Sequence, residues 1–466
     1  MNGFLNFRLR LGQAPSNLVR RFHLILLVLS TTIFQRIVAQ TPPLLLCQEE
    51  TPVFTGFPEQ TLCEKNPNFN CEIQIGTGTP FPKSSLLGSP TLSGNVCVVG
   101  NFEVDAPLTF VDATVKITPS VTITITPSLN GYDGGSSLGI NNSKLFACDG
   151  LWKGITLGQL SSIASWNNSV IEDAETAIFA SGFCILNIHQ TTLNRARVGI
   201  ELYPPFPNIS APGPVMWVFT GNQFSCTAPL NGTPDEITQI GVKLRDADLY
   251  PFFANNDNTF RGIINGIVAE SSGSNAFAFC NVFANNYLFD DIRDKGIDFR
   301  GRSLDVRNST FEHIAKHGIY FHESSLLNLT GNEFYIREIN TPMILRFMVD
   351  IEDPRADNNL HILDNYFFTD STALFNFTVF AIRLNVIWNS KFVASIHENT
   401  FDLYNTSYPS PGDVSHGISV WGSLTSDSDI EIKANHINGN PLLNANRGIL
   451  AVNGNKHHLH VIDNHF

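Results

Sequence analysis

The densest run of groups able to do chemistry in this 466-residue chain is Asp290-Asp291-Ile292-Arg293-Asp294-Lys295-Gly296-Ile297-Asp298-Phe299-Arg300-Gly301-Arg302. Alternation along a strand sends Asp298 and Arg300 to one face, where a salt pair serves equally well. His317-Gly318 stands 27 residues beyond Asp290. Histidines gather at His313, His317 and His322, and again at His457, His458 and His460. His458 and His460 share a strand face, as a zinc pair would, but a third ligand is not evident. Asp350-Ile351-Glu352-Asp353 and Asp427-Ser428-Asp429 offer weak calcium ligands, without an EF-hand or a glycine–aspartate repeat to support them. Solvated charged turns and scattered turn histidines account for all these residues, and that plainer reading is preferred.

The elements that must position them follow from a repeat. Ten times between Ala177 and Gly448 a small residue precedes alternating apolar positions. The copies begin at Ala177-Ile178, Gly199-Ile200, Gly241-Val242, Gly266-Ile267, Gly296-Ile297, Gly318-Ile319, the degenerate Met343-Ile344-Leu345-Arg346, Ala381-Ile382, Gly417-Ile418 and Gly448-Ile449. Their spacing, 22 to 42 residues, is that of a solenoid. A second phrase, Asn-x-Phe, precedes the first: Asn222-Gln223-Phe224, Asn258-Thr259-Phe260, Asn281-Val282-Phe283, Asn332-Glu333-Phe334, Asn365-Tyr366-Phe367, Asn399-Thr400-Phe401 and Asn464-His465-Phe466. Each copy thus holds two or three short period-2 runs separated by Gly, Asn, Asp or Ser, which read as strands and turns. The predicted fold is all-β, a single right-handed parallel β-helix with an irregular N-terminal lead-in or cap. Its interior calls for ladders of like side chains. Thirty-six Phe against nine Tyr suit that requirement, since a stacked ring without a hydroxyl leaves nothing unsatisfied. The repeated Asn is expected to bond along the stack to the Asn above and below.

Phe146-Ala147-Cys148-Asp149-Gly150-Leu151-Trp152-Lys153-Gly154-Ile155-Thr156-Leu157 resembles the entry coil of secreted bacterial parallel β-helix repeat proteins, of pectin-lyase-like fold. Asn168-Ser169-Val170-Ile171-Glu172-Asp173-Ala174-Glu175-Thr176-Ala177-Ile178 is similar to the first regular repeat of that family. The resemblance spans residues 95–466 and implies fold and export. It does not imply one activity, because the family hosts enzymes, adhesins and proteins of unassigned role. Polysaccharide lyases on this fold pair carboxylate-bound calcium with an Arg or Lys base. By that resemblance Asp290, Asp291, Asp294, Lys295 and Arg300 are the candidate parts. Polygalacturonase-like enzymes carry an Asp-Asp pair and a His-Gly pair one coil later, as Asp290-Asp291 and His317-Gly318 do here. Their Asn-Thr-Asp and Arg-x-Lys motifs have no counterparts.

Residues 1–39 read as a signal peptide: Arg8, Arg10, Arg20 and Arg21 precede an apolar core from Phe22 to Phe34, and Ile37-Val38-Ala39 offers a cleavage site. The core is short for a membrane span, so no integral span is expected in the mature chain. Residues 40–94 read as a Cys- and Pro-rich lead-in, and 95–466 as repeats. The chain stops at Phe466 within a repeat phrase, so a truncated solenoid is expected. Removing the leader takes five Arg and no acid, moving the net charge from −13 to −18, which excludes nucleic acid as a partner. It also disfavours unassisted binding of acidic glycans, unless calcium bridges them. Cys47, Cys63, Cys71, Cys97 and Cys148 precede the regular repeats. In an exported protein one or two disulfides are expected among them, with Cys63–Cys71 the local pair. Cys184, Cys226 and Cys280 are expected to pack as small apolar residues.

Prolines at 204, 205, 207, 212 and 214 mark a surface insertion, and Tyr404 to His416 a second loop. The functional expectation is a secreted or cell-surface noncatalytic scaffold for adhesion or display, without cofactor, calcium being the one ion to consider. The alternatives are a lyase or glycoside hydrolase working through Asp290, Asp291, Lys295, Arg300 and His317, and a sugar-binding module exposing Trp217, Trp388 and Trp421. Ionisable side chains meeting in one groove across adjacent coils would favour the enzyme.

Overall fold

The computed structural model describes residues 60–127, 136–204, 213–233, 236–251, 257–271, 280–336, 345–354, 358–369, 378–386, 392–403, 415–422, 429–439, 446–452 and 458–465. The expected leader, Cys47, Trp388, His457, Met343 and most of the two Pro-rich loops lie outside them. Among the described residues no helix is long and apolar enough to cross a membrane.

Each period-2 run forms a strand that sends β-branched or aromatic side chains inward, and a polar or glycine residue bends the chain between strands. Strands opening on Gly-Ile pair with one another in a 13-stranded parallel sheet, from Phe102–Val104 to Asn446–Val452. Strands bearing Asn-x-Phe form a second parallel ladder that runs through Ser169–Glu172, Thr259–Arg261 and Leu288–Ile292 to His436–Gly439. A third sheet of seven strands extends from Asn281–Asn285 to His458–Ile462. One rung is therefore Lys295–Arg300, Ser303–Arg307 and Thr310–Ile314, and the next is His317–His322, Leu326–Thr330 and Glu333–Ile336. This is a single right-handed parallel β-helix, the hand that parallel crossovers adopt.

The two repeated phrases prove to be halves of one contact. Phe224, Phe260, Phe289, Phe311, Phe334, Phe367 and Phe401 stack in register, ring centroids 4.7–5.0 Å apart and planes within 8°. Five of the rings, Phe224, Phe260, Phe289, Phe311 and Phe334, lie against a glycine that opens a strand of the Gly-Ile sheet. A Cβ on Gly199, Gly241, Gly266 or Gly296 would sit 2.6–2.9 Å from a Phe ring carbon and 2.4–2.7 Å from the next rung's carbonyl oxygen. Glycine recurs there because the ladder leaves no room for a methyl.

The asparagine ladder is also as expected. Asn332, Asn365, Asn399, Asn435 and Asn464 each donate Nδ2 to the next Oδ1 in the series at 2.9–3.0 Å, up to the last. The same oxygens accept the preceding Asn backbone N–H at 3.0 Å. Nδ2 of Asn399 further donates to the Ile362 carbonyl, so the buried amide leaves nothing idle. Asn399→Ala is expected to cost about 1–3 kcal/mol, because it takes the acceptor from the Asn365 backbone N–H and amide and the donor from the Ile362 carbonyl in a dry bend. A thermal melt showing no change in Tm would contradict this.

Three expectations are corrected. Asn281-Val282-Phe283 is no rung of the Phe ladder: Asn281–Asn285 lies in the third sheet, and Phe289 stands between Phe260 and Phe311. The degenerate copy is Met348-Val349-Asp350-Ile351, not Met343-Ile344-Leu345-Arg346: Ile319 pairs with Val349, and Val349 with Ile382. The interior needs apolar side chains at alternate positions, and Val349 and Ile351 supply them. Among the described residues the disulfides are Cys63–Cys148 and Cys71–Cys97, not Cys63–Cys71. Stacking sets residues of different rungs side by side, so proximity in sequence misleads here. Cys184, Cys226 and Cys280 are unpaired and buried, as expected.

The parallel ladder already begins at Ile73–Ile75, inside the segment read as lead-in, where Ile73 pairs with Val96. Ahead of it a short helix, Leu62–Lys65, is closed by a capping box between Thr61 and Glu64. The Leu62 N–H donates to Glu172 Oε1, which also meets Arg195 Nη1 at 3.3 Å. Asp173 lies 3.2 Å from Arg195 Nη2, yet burial, aided by the like charge of Glu172, pushes it up to about 8.

Candidate functional site

In every strand of the Gly-Ile sheet the second residue after the small one points outward, and so does the residue two further on. Register stacks these positions in columns. One column reads Asp298, Tyr320, Asp350, Arg383 and Ser419. The next contains His322, Glu352, Asn385 and Trp421. A third, just before the small residue, holds Lys295, His317, Phe347, Phe380 and His416.

These columns carry one connected network. Lys295 Nζ donates to Asp298 Oδ2 at 2.5 Å and lies 4.7 Å from the centre of the Tyr320 ring. Asp298 Oδ1 meets His322 Nε2 at 3.3 Å, and the Tyr320 and His322 rings stack at 4.7 Å. The Tyr320 hydroxyl donates to Glu352 Oε2. Deeper in the same face, fully buried Asp350 accepts from Arg383 Nε at 2.7 Å and Nη2 at 2.6 Å, and from His317 Nε2 at 3.1 Å. The Arg383 guanidinium rests 4.1 Å over the Phe347 ring, which continues the stack His317–Phe347–Phe380–His416.

Burial opposes the charged forms of Asp298 and Asp350, but hydrogen bonds from His322 and Lys295, and from His317 and Arg383, overcome it. Both carboxyls lie below their ordinary value. Burial, the bond to Glu352 and the surrounding carboxylates push the Tyr320 phenol up, so it keeps its proton. A lowered carboxyl stabilises the fold above the ordinary carboxylate range and loses that contribution as pH falls through its depressed value. The Tm is therefore expected to fall on acidification below about pH 4 more steeply in the native chain than in Asp350→Asn. Parallel Tm–pH curves for the two would refute it.

The sequence candidates separate. Lys295 and His317 join the network, through Asp298 and Asp350 respectively. Arg300 projects from the same strand but pairs with Glu323 at the rim. Asp290 and Asp291 lie on the Asn-x-Phe side. Asp290 accepts from His313 Nδ1 at 2.8 Å and meets Arg261 Nε at 3.1 Å, and those partners outweigh burial and lower its carboxyl. Burial and the charge of Asp290 raise Asp291. Asp294 lies 3.8 Å from Lys316 and is not grouped with Asp290. Among the described residues, the three groups close enough to share a cation are instead Asp290, Glu312 and His313. His460 is exposed, 3.6 Å from Asp429.

Tyr320, Glu352 and Arg383 were missed as site residues. The signal for Tyr320 and Arg383 was present: aligning the copies and reading only the residue after each Gly-Ile or Ala-Ile, and the one two beyond it, picks out Asp298, Tyr320, His322 and Arg383; Glu352 follows Met348-Val349, which that phrase does not mark.

No protein family description matches the chain, and neither does any curated protein. Among solved structures, a crystal structure of a mutant of the periplasmic alginate epimerase AlgG is similar at 10% identity, covering 79% of this chain and 78% of that one, with a TM-score of 0.25. A likeness at that level carries no argument about activity. The chain is placed by its own strand register: it is a parallel β-helix protein with a half-buried ionic network on its Gly-Ile face.

Proposed function

We propose that the protein is a carbohydrate-active enzyme that removes a proton beside the carboxylate of a uronate-containing glycan, as a lyase does. The observation that carries this reading is the convergence of Lys295, Asp298, Tyr320, His322 and Glu352 from three successive rungs. Ionisable groups meeting across coils are what separates an enzyme from a plain scaffold.

The chemistry follows from the environments. Asp298 holds His322 by Nε2 and leaves Nδ1 to take the proton from the carbon bearing the carboxylate. The electron pair forms a double bond to the neighbouring carbon, whose bond to the glycosidic oxygen breaks. The neutral Tyr320 phenol passes its proton to that oxygen and regains, through solvent, the proton that His322 took. Lys295 offers the cation that steadies the substrate carboxylate as charge builds on it. Glycoside hydrolysis would instead need one carboxyl kept protonated beside one ionised. Within this network Asp298 and Asp350 both move toward ionisation, and the pair of opposite shift, Asp290 and Asp291, lies on the Asn-x-Phe side, away from it.

The net charge of −13 sets the protein against polyanions at long range, so Lys295 and Arg383 must act locally. Calcium would assist by bridging carboxylates. The purified protein should turn over polygalacturonate or alginate, releasing unsaturated ends or taking deuterium from heavy water, and should leave neutral glycans untouched. Absence of turnover on every polyuronate, with and without calcium, would return the protein to the scaffold reading. The export expected from residues 1–39 suits an extracellular glycan.

A further inference from the structure

Trp421 is the exposed aromatic residue of the face that carries the ionic network. It sits in the same outward column as His322 and Glu352, which continues through Asn385 to Trp421 by direct strand pairing. It is 39% exposed, although neighbouring rings of this sheet such as Phe347, Phe380 and His416 are buried. The indole N–H donates to Ser419 Oγ, in the adjacent column, so the ring is held rather than free to rotate. An apolar surface of this size left open and braced by a hydrogen bond suits a ligand with a flat apolar face and polar edges, which describes a pyranose ring.

Spacing gives the position a meaning. Rungs here are 4.7–5.0 Å apart, measured on the stacked Phe rings. A pyranose unit in an extended glycan advances by a similar length. From His322 to Trp421 is three rungs, about 14 Å. Of the two intervening rungs, one presents Glu352, which accepts the Tyr320 hydroxyl, and the other presents Asn385 with Arg383 beside it, groups that can meet hydroxyl and carboxylate oxygens.

We infer that the glycan lies along the helix axis, one sugar per rung, and that Trp421 stacks on the sugar three units from the one whose proton is removed. The inference rests on the enzyme reading above and adds to it a substrate direction and a minimum length of four units. Trp421 contacts substrate without taking part in proton transfer, so its loss should change binding of long chains alone.

The test uses the full chain, Trp421→Ala and Trp421→Phe, with galacturonate and mannuronate oligomers of two to six units. In the native protein KM should drop sharply once the chain reaches four units. Trp421→Ala should raise KM for the hexamer about tenfold, keep kcat and leave the trimer unaffected, and Trp421→Phe should restore most of the loss. Equal KM for the hexamer in native and Trp421→Ala proteins, or an equal loss on trimer and hexamer, would overturn the inference while leaving the enzyme reading standing. Titration of indole fluorescence with the hexamer reads binding without turnover. A quench that vanishes in Trp421→Ala, in a protein with no turnover, would sink the enzyme reading and retain the platform; no quench and no turnover would sink both. Matching melting curves exclude misfolding as the cause.

Discussion

Tyr320→Phe is expected to lower kcat on a polyuronate by about 10²- to 10⁴-fold, with a Tm close to that of the native protein. The substitution removes one oxygen. The ring that carries Lys295 at 4.7 Å and stacks on His322 at 4.7 Å remains in place. What is lost is the hydroxyl proton, which the raised pKa retains at rest and Glu352 accepts until the leaving oxygen competes for it. Because the leaving oxygen takes that proton only as its bond breaks, kcat should fall and KM should hardly move. Lys295→Ala should behave differently: it removes a cation that meets substrate before and during reaction, so both constants should suffer. A Tyr320→Phe protein with native kcat would remove the phenol from the mechanism. A variant that lost kcat and Tm together would point to Tyr320 as packing.

The largest expected effect on stability lies at the Phe ladder. Phe289→Ala should cost about 3–5 kcal/mol. The ring is wholly buried and stacks on Phe260 at 4.9 Å and Phe311 at 4.7 Å, so its loss opens a gap two neighbours line. Gly266→Ala should also destabilise, by overpacking, at about 1–3 kcal/mol. Its methyl would meet a Phe289 ring carbon at 2.6 Å and the Gly296 carbonyl at 2.4 Å. Combining Gly266→Ala with Phe289→Leu should therefore rescue only part of the loss, since the carbonyl clash persists. Chemical denaturation of the four proteins checks this. In a solenoid each rung contacts only its neighbours, so Phe289→Ala should also split unfolding into two steps near this rung. Full rescue, or a silent Gly266→Ala, would mean that the rungs are not held as tightly as the ring spacing requires.

Much of the architecture was legible in the residues because a parallel β-helix repeats one local rule. Inward positions must be apolar at every second residue, bends must be Asn or Gly, and both demands recur once per rung. Asn332 to Asn464 and most of the run from Phe224 to Phe401 could be read as ladders before any coordinates, since like side chains one rung apart must stack; Phe283 was read in the place that Phe289 takes. The copy at Met348-Val349 was misplaced by five residues because two apolar runs stand side by side there and only pairing with Ile319 and Ile382 chooses between them.

The active groups were less legible, for a physical reason. Outward positions carry no packing constraint, so Asp298, Tyr320, His322, Glu352 and Arg383 look like ordinary surface residues when taken singly. A run of charges along the chain, Asp290 to Arg302, drew attention instead, and folding divides it between two faces: Asp290 goes to Arg261 and His313, Lys295 to Asp298. The residues by themselves determined the rung, its interior and its bends. Which outward side chains share a column was decided only by tertiary register, because groups 20 to 40 positions apart become neighbours when rungs stack, and charge pairing acts across that short distance rather than along the chain.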